Sequence, residues 1–236
     1  MEYFKSIENK NSNIIFTCEH ASSFIPSEYN DLGLTKEQLK KSKDLFDPGA
    51  LELAMFLNKK ISSSLVYPLF SRLLIDANRN IEFSNKANKH HAPALKTELL
   101  VDDELVPIPG NLAKEEAVRW NKYVKPYYVY IENLYNELSK KFDNAYIIQI
   151  HSFYPEYNGD TRKEDVGIIH NNSRVAQRII NSINGLEVGD NKPWGMEAVG
   201  GGVFYKLDNV IGIDVNNKHL ESPDKIGNIL SKVLIL

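Results

Sequence analysis

The chain has 236 residues, 42% of them hydrophobic and 25% charged, with a formal net charge of -3. That balance suits one α/β domain spanning residues 1–236, or at most a domain carrying a large insertion. It offers nothing to attract nucleic acid or an anionic membrane surface. No apolar run approaches the roughly 20 residues that span a bilayer. The single cysteine, Cys18, excludes an internal disulfide and fits a reducing compartment. The opening Met1–Ser6 lacks the apolar core of a signal peptide. A cytoplasmic location, with neither nucleic acid nor membrane as partner, is the expectation.

In chain order, Ile14–Cys18 reads as a buried strand, followed by a loop with Pro26. Thr35-Lys36-Glu37-Gln38 resembles a capping box and predicts a short helix. Asp47-Pro48-Gly49 predicts a second helix, with Asp47 as N-cap and Pro48 at its first position. Leu51, Ala54, Met55 and Leu57 recur there at helical spacing. Leu65–Phe70 and Leu73–Ala77 are short strand candidates. Residues 80–110 lack periodicity and hold Pro93, Pro107, Pro109 and the pair His90-His91, so a lid or insertion is expected. Asn111–Phe142 is the longest helical pattern, with a break expected near Pro126.

Tyr146–Ile150 reads as the central strand. Val166–His170 reads as another, and Ser173–Asn184 as a helix capped by Ser173. A short strand at Leu186–Val188, a Gly200-Gly201-Gly202 turn, a strand at Val210–Val215 and a helix at Ser222–Leu234 follow. Strands alternating with helices imply a mainly parallel sheet covered on both faces.

Two histidines end apolar runs: His20 after Ile14–Glu19 and His151 after Tyr146–Ile150. In open α/β sheets the carboxyl ends of the strands are where ligands gather. Two imidazoles and a carboxylate there are the ingredients of a catalytic zinc site. Glu19 adjoins His20 and should face the other way, as adjacent strand residues do. Asp47 serves equally well as helix cap or as metal ligand. In Ser71–Asn80, Arg79 with Asn78 falls where the active edge should be and can grip a carboxylate through a guanidinium fork. Asp214 ends the Ile211-Gly212-Ile213 run and is a candidate general base, with Glu19 next in line. Arg162 and Asp165 follow His151; Arg162 can shape the site or simply pair with Asp165. Cys18 reads as a core residue.

These segments together resemble the N-formylglutamate amidohydrolase family. The matching stretches are Thr17–Ser22 with Ile25-Pro26, Asp47–Ala50, Ser71–Arg79, Pro107–Asn111, Arg119, Pro126-Tyr127, and His151-Ser152-Phe153 followed by Arg162. They run in order over nearly the whole chain. The resemblance implies a zinc carboxypeptidase-like fold, a three-layer α/β/α sandwich around a mixed, mainly parallel sheet. It implies that His20, Asp47 and His151 hold one divalent metal ion, zinc, and that Asn78 and Arg79 receive a substrate carboxylate, helped by Arg72. Where the family usually has glutamate followed by arginine near the C-terminus, this chain has Asp214 and Asn216. Lys43 replaces a frequent histidine and Gln149 a common aspartate. The implied activity is hydrolysis of the amide of an N-acyl acidic amino acid, N-formylglutamate first. The alternatives are another N-acyl amino acid or carboxypeptidase-like hydrolase, or a binding protein that has kept the pocket.

Overall fold

The computed structural model describes residues 2–81, 93–102, 104–171, 173–195, 207 and 209–235. His90-His91 and Gly200-Gly201-Gly202 lie outside the described residues. The strands are β1 Phe4–Ile7, β2 Ile14–Thr17, β3 Ser64–Pro68, β4 Glu98–Val101, β5 Glu104–Pro107, β6 Tyr146–Phe153, β7 Glu156–Tyr157, β8 Asp160–Thr161, β9 Val166–His170, β10 Val188–Asp190 and β11 Val210–Asn216. Seven of them form one sheet in the order β1-β3-β2-β6-β11-β9-β10. β3, β2, β6 and β11 run parallel, while β1 and β9 join antiparallel, so the sheet is mixed. β2 and β6 are buried along their whole length, which explains the apolar runs Ile14–Phe16 and Tyr146–Ile148.

Two apolar layers cover the two faces of the sheet. On one, Ile14, Phe16, Ile148, Ile150, Ile211 and Ile213 pack under helices α2 (Ala50–Ile61), α5 (Arg174–Ser182) and α6 (Pro223–Val233). On the other, Ile15, Val66 and Ile147 pack under Tyr127, Ile131, Leu134 and Leu138 of α4 (Lys125–Lys141). The result is the expected α/β/α sandwich. Each fully buried Leu, Ile or Phe contributes about 1.5–3 kcal/mol relative to an exposed one, so two filled layers hold the sheet firmly. Among the described residues no helix is long and apolar enough to cross a membrane.

Several local expectations are corrected. α2 starts at Ala50 with Gly49 as N-cap, not at Pro48 with Asp47 as cap. Asp47, Pro48 and Gly49 form a turn instead, closed by the Ala50 amide donating to the Asp47 carbonyl at 3.2 Å. Gly49 has φ +77°, and a Cβ there would come within 2.6 Å of Leu220, so only glycine fits. The buried stripe of α2 is Ala50, Leu53, Ala54 and Leu57; Met55 is 45% exposed.

Leu73–Ala77 is no strand. Ser71 Oγ accepts from the Leu73 amide at 3.1 Å and Asp76 Oδ1 from the Asn78 amide at 2.8 Å, so these side chains satisfy backbone that a ladder would use. The Leu73 and Leu74 carbonyls accept from Asn111 and Arg119. Within residues 80–110, β4 and β5 form a hairpin where no regular structure was expected. The helical pattern before Pro126 holds α3 (Glu116–Arg119) and a π-helical turn, Trp120–Val124. α4 then begins with Pro126 in its first turn, where no amide is needed. The strand expected at Leu186–Val188 lies at Val188–Asp190, paired with Val166–Ile168.

Candidate metal centre

The carboxyl ends of three adjacent parallel strands build the site. His20 follows β2, His151 lies in β6, and Asp214 in β11 stands directly beside His151 in register. Paired residues on neighbouring strands share a face, so Asp214 and His151 project from the same side of the sheet. Asp47 arrives from the turn before α2, and its amide donates to the His20 carbonyl at 3.0 Å. Because Asp47 caps no helix, its carboxylate is available to the histidines.

Both imidazoles point the same nitrogen at it. His20 Nδ1 lies 3.1 Å and His151 Nδ1 3.0 Å from Asp47 Oδ2. The ring centroids are 4.7 Å apart. Each Nε2 faces another buried carboxylate: His20 Nε2 is 2.8 Å from Asp76 Oδ1, and His151 Nε2 is 3.1 Å from Glu19 Oε2. An Nε2–H donated to a carboxylate fixes the tautomer and leaves the Nδ1 lone pair for a metal. Glu19 Oε1 accepts from Gln149 Nε2 at 3.1 Å and from the Tyr127 hydroxyl at 3.3 Å. Arg72 spans the other carboxylates, with Nη1 3.4 Å from Asp47 Oδ1 and Nη2 3.1 Å from Asp76 Oδ2.

The charges agree with that geometry. Burial opposes ionisation of Asp47, but the charges of His20 and His151 and their hydrogen bonds hold its carboxyl well below the usual range. Burial likewise disfavours ionised Asp76, yet Arg72 and His20 keep it far below the ordinary value. Glu19 is also lowered, because contacts with His151, Thr17 and Gln149 outweigh its burial. His151 is raised well above normal despite burial, through Asp47 and Glu19. Three buried carboxylates meet one guanidinium, an excess of negative charge that a divalent cation neutralises. His20, Asp47 and His151 can bring one ligand atom each to within 4.8 Å of one another, all buried. Two imidazole nitrogens and one carboxylate oxygen with a free fourth position suit catalytic zinc.

Asp214 is different. Burial raises its carboxyl to about 6, the charge of Asp47 adds to this, and His151, His20 and the nearby Trp194 oppose it. Arg79 donates from Nη1 to the Asn78 carbonyl at 3.0 Å and lies within the field of Asp76, Arg72 and Asp214. Asn78 turns its amide inward, 3.3 Å from His151 Nε2 and 3.3 Å from Gln149 Nε2. Arg162 has no ion pair with Asp165, which binds Lys218 and His219 instead.

Asp76, Gln149, Tyr127 and Trp194 join the site although their sequence assigns them no role. Asp76 carried a signal, a carboxylate between Arg72 and Asn78 in an otherwise apolar run. Trp194 carried none. Asn111 and Arg119 belong to the scaffold: Arg119 donates to the Leu74 and Gly110 carbonyls and to Asn111 Oδ1, and so fixes the loop that bears Asp76.

A search of curated proteins returned no match. Among solved structures, gene product Atu2144 from Agrobacterium tumefaciens superposes with a TM-score of 0.81 at 26% identity, covering 99% of this chain and 95% of that one. N-formylglutamate amidohydrolase from Ralstonia eutropha JMP134 superposes with a TM-score of 0.73 over 99% of this chain and 96% of that one; at 14% identity the likeness is one of fold. The sequence profile described as N-formylglutamate amidohydrolase matches residues 12–207, and with that match over most of its length the chain belongs to the N-formylglutamate amidohydrolase family.

Proposed function

We propose that this protein hydrolyses the amide of an N-formylated acidic amino acid, N-formylglutamate first, to formate and the free amino acid. The observation that carries this reading is the convergence of His20 Nδ1, His151 Nδ1 and the Asp47 carboxylate beside Asp214. Zinc held by those residues would polarise the acyl carbonyl and lower the pKa of water to roughly 7.

The chain's own groups do the rest. Asp214, with its pKa raised to about 6, is poised to accept a proton from water near neutral pH and return it to the departing amine. Arg79 receives the substrate's α-carboxylate and so aligns the amide with the metal and with Asp214. Asn78 accepts from Gln149 Nε2 through its Oδ1, which holds it beside the site. Arg72 acts on the site by holding Asp47 and Asp76 in place. Glu19 serves as a positioning residue for His151, on the Nε2 edge away from the reacting groups. The lone buried Cys18 supports a reducing location such as the cytoplasm.

The test is metal analysis of purified protein followed by formate release from N-formyl-L-glutamate. The expected result is about one zinc per chain, with activity lost to a chelator and restored by zinc. Zinc-loaded protein that releases no formate would overturn the catalytic reading.

A further inference from the structure

Arg162 is a half-buried cation with no carboxylate partner among the described residues. Its guanidinium rests on three aromatic faces, 4.8 Å from the Trp194 centroid, 4.9 Å from Tyr157 and 5.9 Å from Phe153. Among the described residues its guanidinium makes one hydrogen bond, Nη1 to the Tyr154 carbonyl, long at 3.4 Å. Other cations near the site are committed: Arg72 to Asp47 and Asp76, Lys96 to Asp44 at 2.7 Å, and Arg119 to oxygens of the scaffold. Burial lowers the pKa of Arg162, and Asp160 and Asp214 offset this only at a distance.

The position of Arg162 points to a ligand as well. Phe153 lies two residues beyond His151 on β6, on the same face, about 7 Å further along the strand. Trp194 meets Phe153 edge to face with centroids 5.6 Å apart, and it lies close enough to Asp214 to bear on its ionisation. Arg162 therefore sits one strand repeat past the metal centre, on an aromatic floor that continues to the candidate base. A stacked guanidinium loses little freedom when it binds, and its planar fork matches a carboxylate.

We propose that Arg162 is the receptor for a second carboxylate, that of the substrate's acidic side chain, and so makes the site selective for N-acyl dicarboxylic amino acids. This rests on the reaction proposed above, with Arg79 taking the α-carboxylate. Asp44 supports the same wall: it accepts from the Tyr157 hydroxyl at 3.0 Å and from the Leu100 amide at 2.9 Å, which joins the floor under Arg162 to the β4–β5 hairpin.

The experiment compares N-formyl-L-glutamate with its neutral isostere N-formyl-L-glutamine in zinc-loaded parent and Arg162→Gln protein. The parent should prefer the glutamate substrate. The variant should lose that preference by roughly 30-fold or more, as expected for a desolvated charge pair, with kcat/KM for the glutamine substrate nearly unchanged. Calorimetric binding of glutarate against butyrate gives a readout free of turnover. Glutarate should bind the parent more tightly, and the two ligands should bind the variant alike. Equal loss on both substrates, or an unchanged ratio, overturns the proposal. If Arg162→Gln does not fold, Arg162→Lys decides: it should lower the preference severalfold, and an unchanged preference overturns the idea. Protein that hydrolyses neither substrate but binds glutarate through Arg162 would sink the reaction and keep the receptor. Hydrolysis of N-formylglutamate without dependence on Arg162 would do the reverse.

Discussion

On the β2 side of the site the side chains are closely tied to one another: His20 lies between Asp47 and Asp76, His151 between Asp47 and Glu19, and Arg72 joins Asp47 to Asp76. On the β11 side the groups are held with fewer polar ties among the described residues. Asp214 is buried with its carboxyl raised to about 6, and Arg162 lies on aromatic rings with no carboxylate partner among the described residues. A fully satisfied buried network is rigid, and removing one member leaves its partner stranded at large cost. Groups held short of satisfaction have capacity left for a substrate or a proton. The first wall is suited to gripping an ion and the second to chemistry on what is brought to it.

The sharpest break of that comparison is loss of a ligand. His20→Ala and His151→Ala should each lower bound zinc far below one per chain and abolish activity, as elemental analysis and a formate assay will show. Full occupancy in both variants would mean that the first wall is not the metal centre. Asp214→Asn should leave zinc content alone but lower kcat by about 10²–10⁴-fold, the usual scale for a general acid–base group, while Asp214→Glu stays active. An Asp214→Asn enzyme as fast as the parent would remove the second wall from the chemistry.

Glu19→Gln sharpens the contrast further. It should weaken zinc binding by about 10–100-fold, the typical effect of losing a partner behind a ligand, yet leave kcat at saturating zinc close to that of the parent. Zinc affinity unchanged with kcat collapsed would instead make Glu19 the base. The smallest effect lies off both walls. Asp165 takes Lys218 at 2.6 Å and His219 at 2.7 Å, and despite some burial its pKa falls to about 2. A depressed carboxylate stabilises the fold above its unfolded pKa, and the contribution fades as pH drops through the folded value. Lys218 is half exposed, so solvent screens the pair. Asp165→Asn should therefore cost about 1 kcal/mol at neutral pH, and denaturant melts should show the gap closing from about pH 4 towards pH 2.

The sequence by itself determined the alternation of strands and helices, the covered sheet and the two histidines at strand ends. Hydrophobic runs and caps are local, and the runs at Ile14–Thr17 and Tyr146–Ile150 are long enough to read without a partner. The capping box at Thr35 and the cap at Ser173 were legible for the same reason. Leu73–Ala77 misled because burial on all sides looks the same in a loop as in a strand; only the distant Asn111 and Arg119 show where its carbonyls go. Asp47 was balanced between cap and ligand, and the tertiary structure decided it, since Leu220 crowding Gly49 accompanies a helix that starts two residues later. The carboxylates behind the histidines, and the ring of Trp194 under Arg162, come together from positions far apart in the chain. No local pattern encodes such meetings; packing of the layers brings them about.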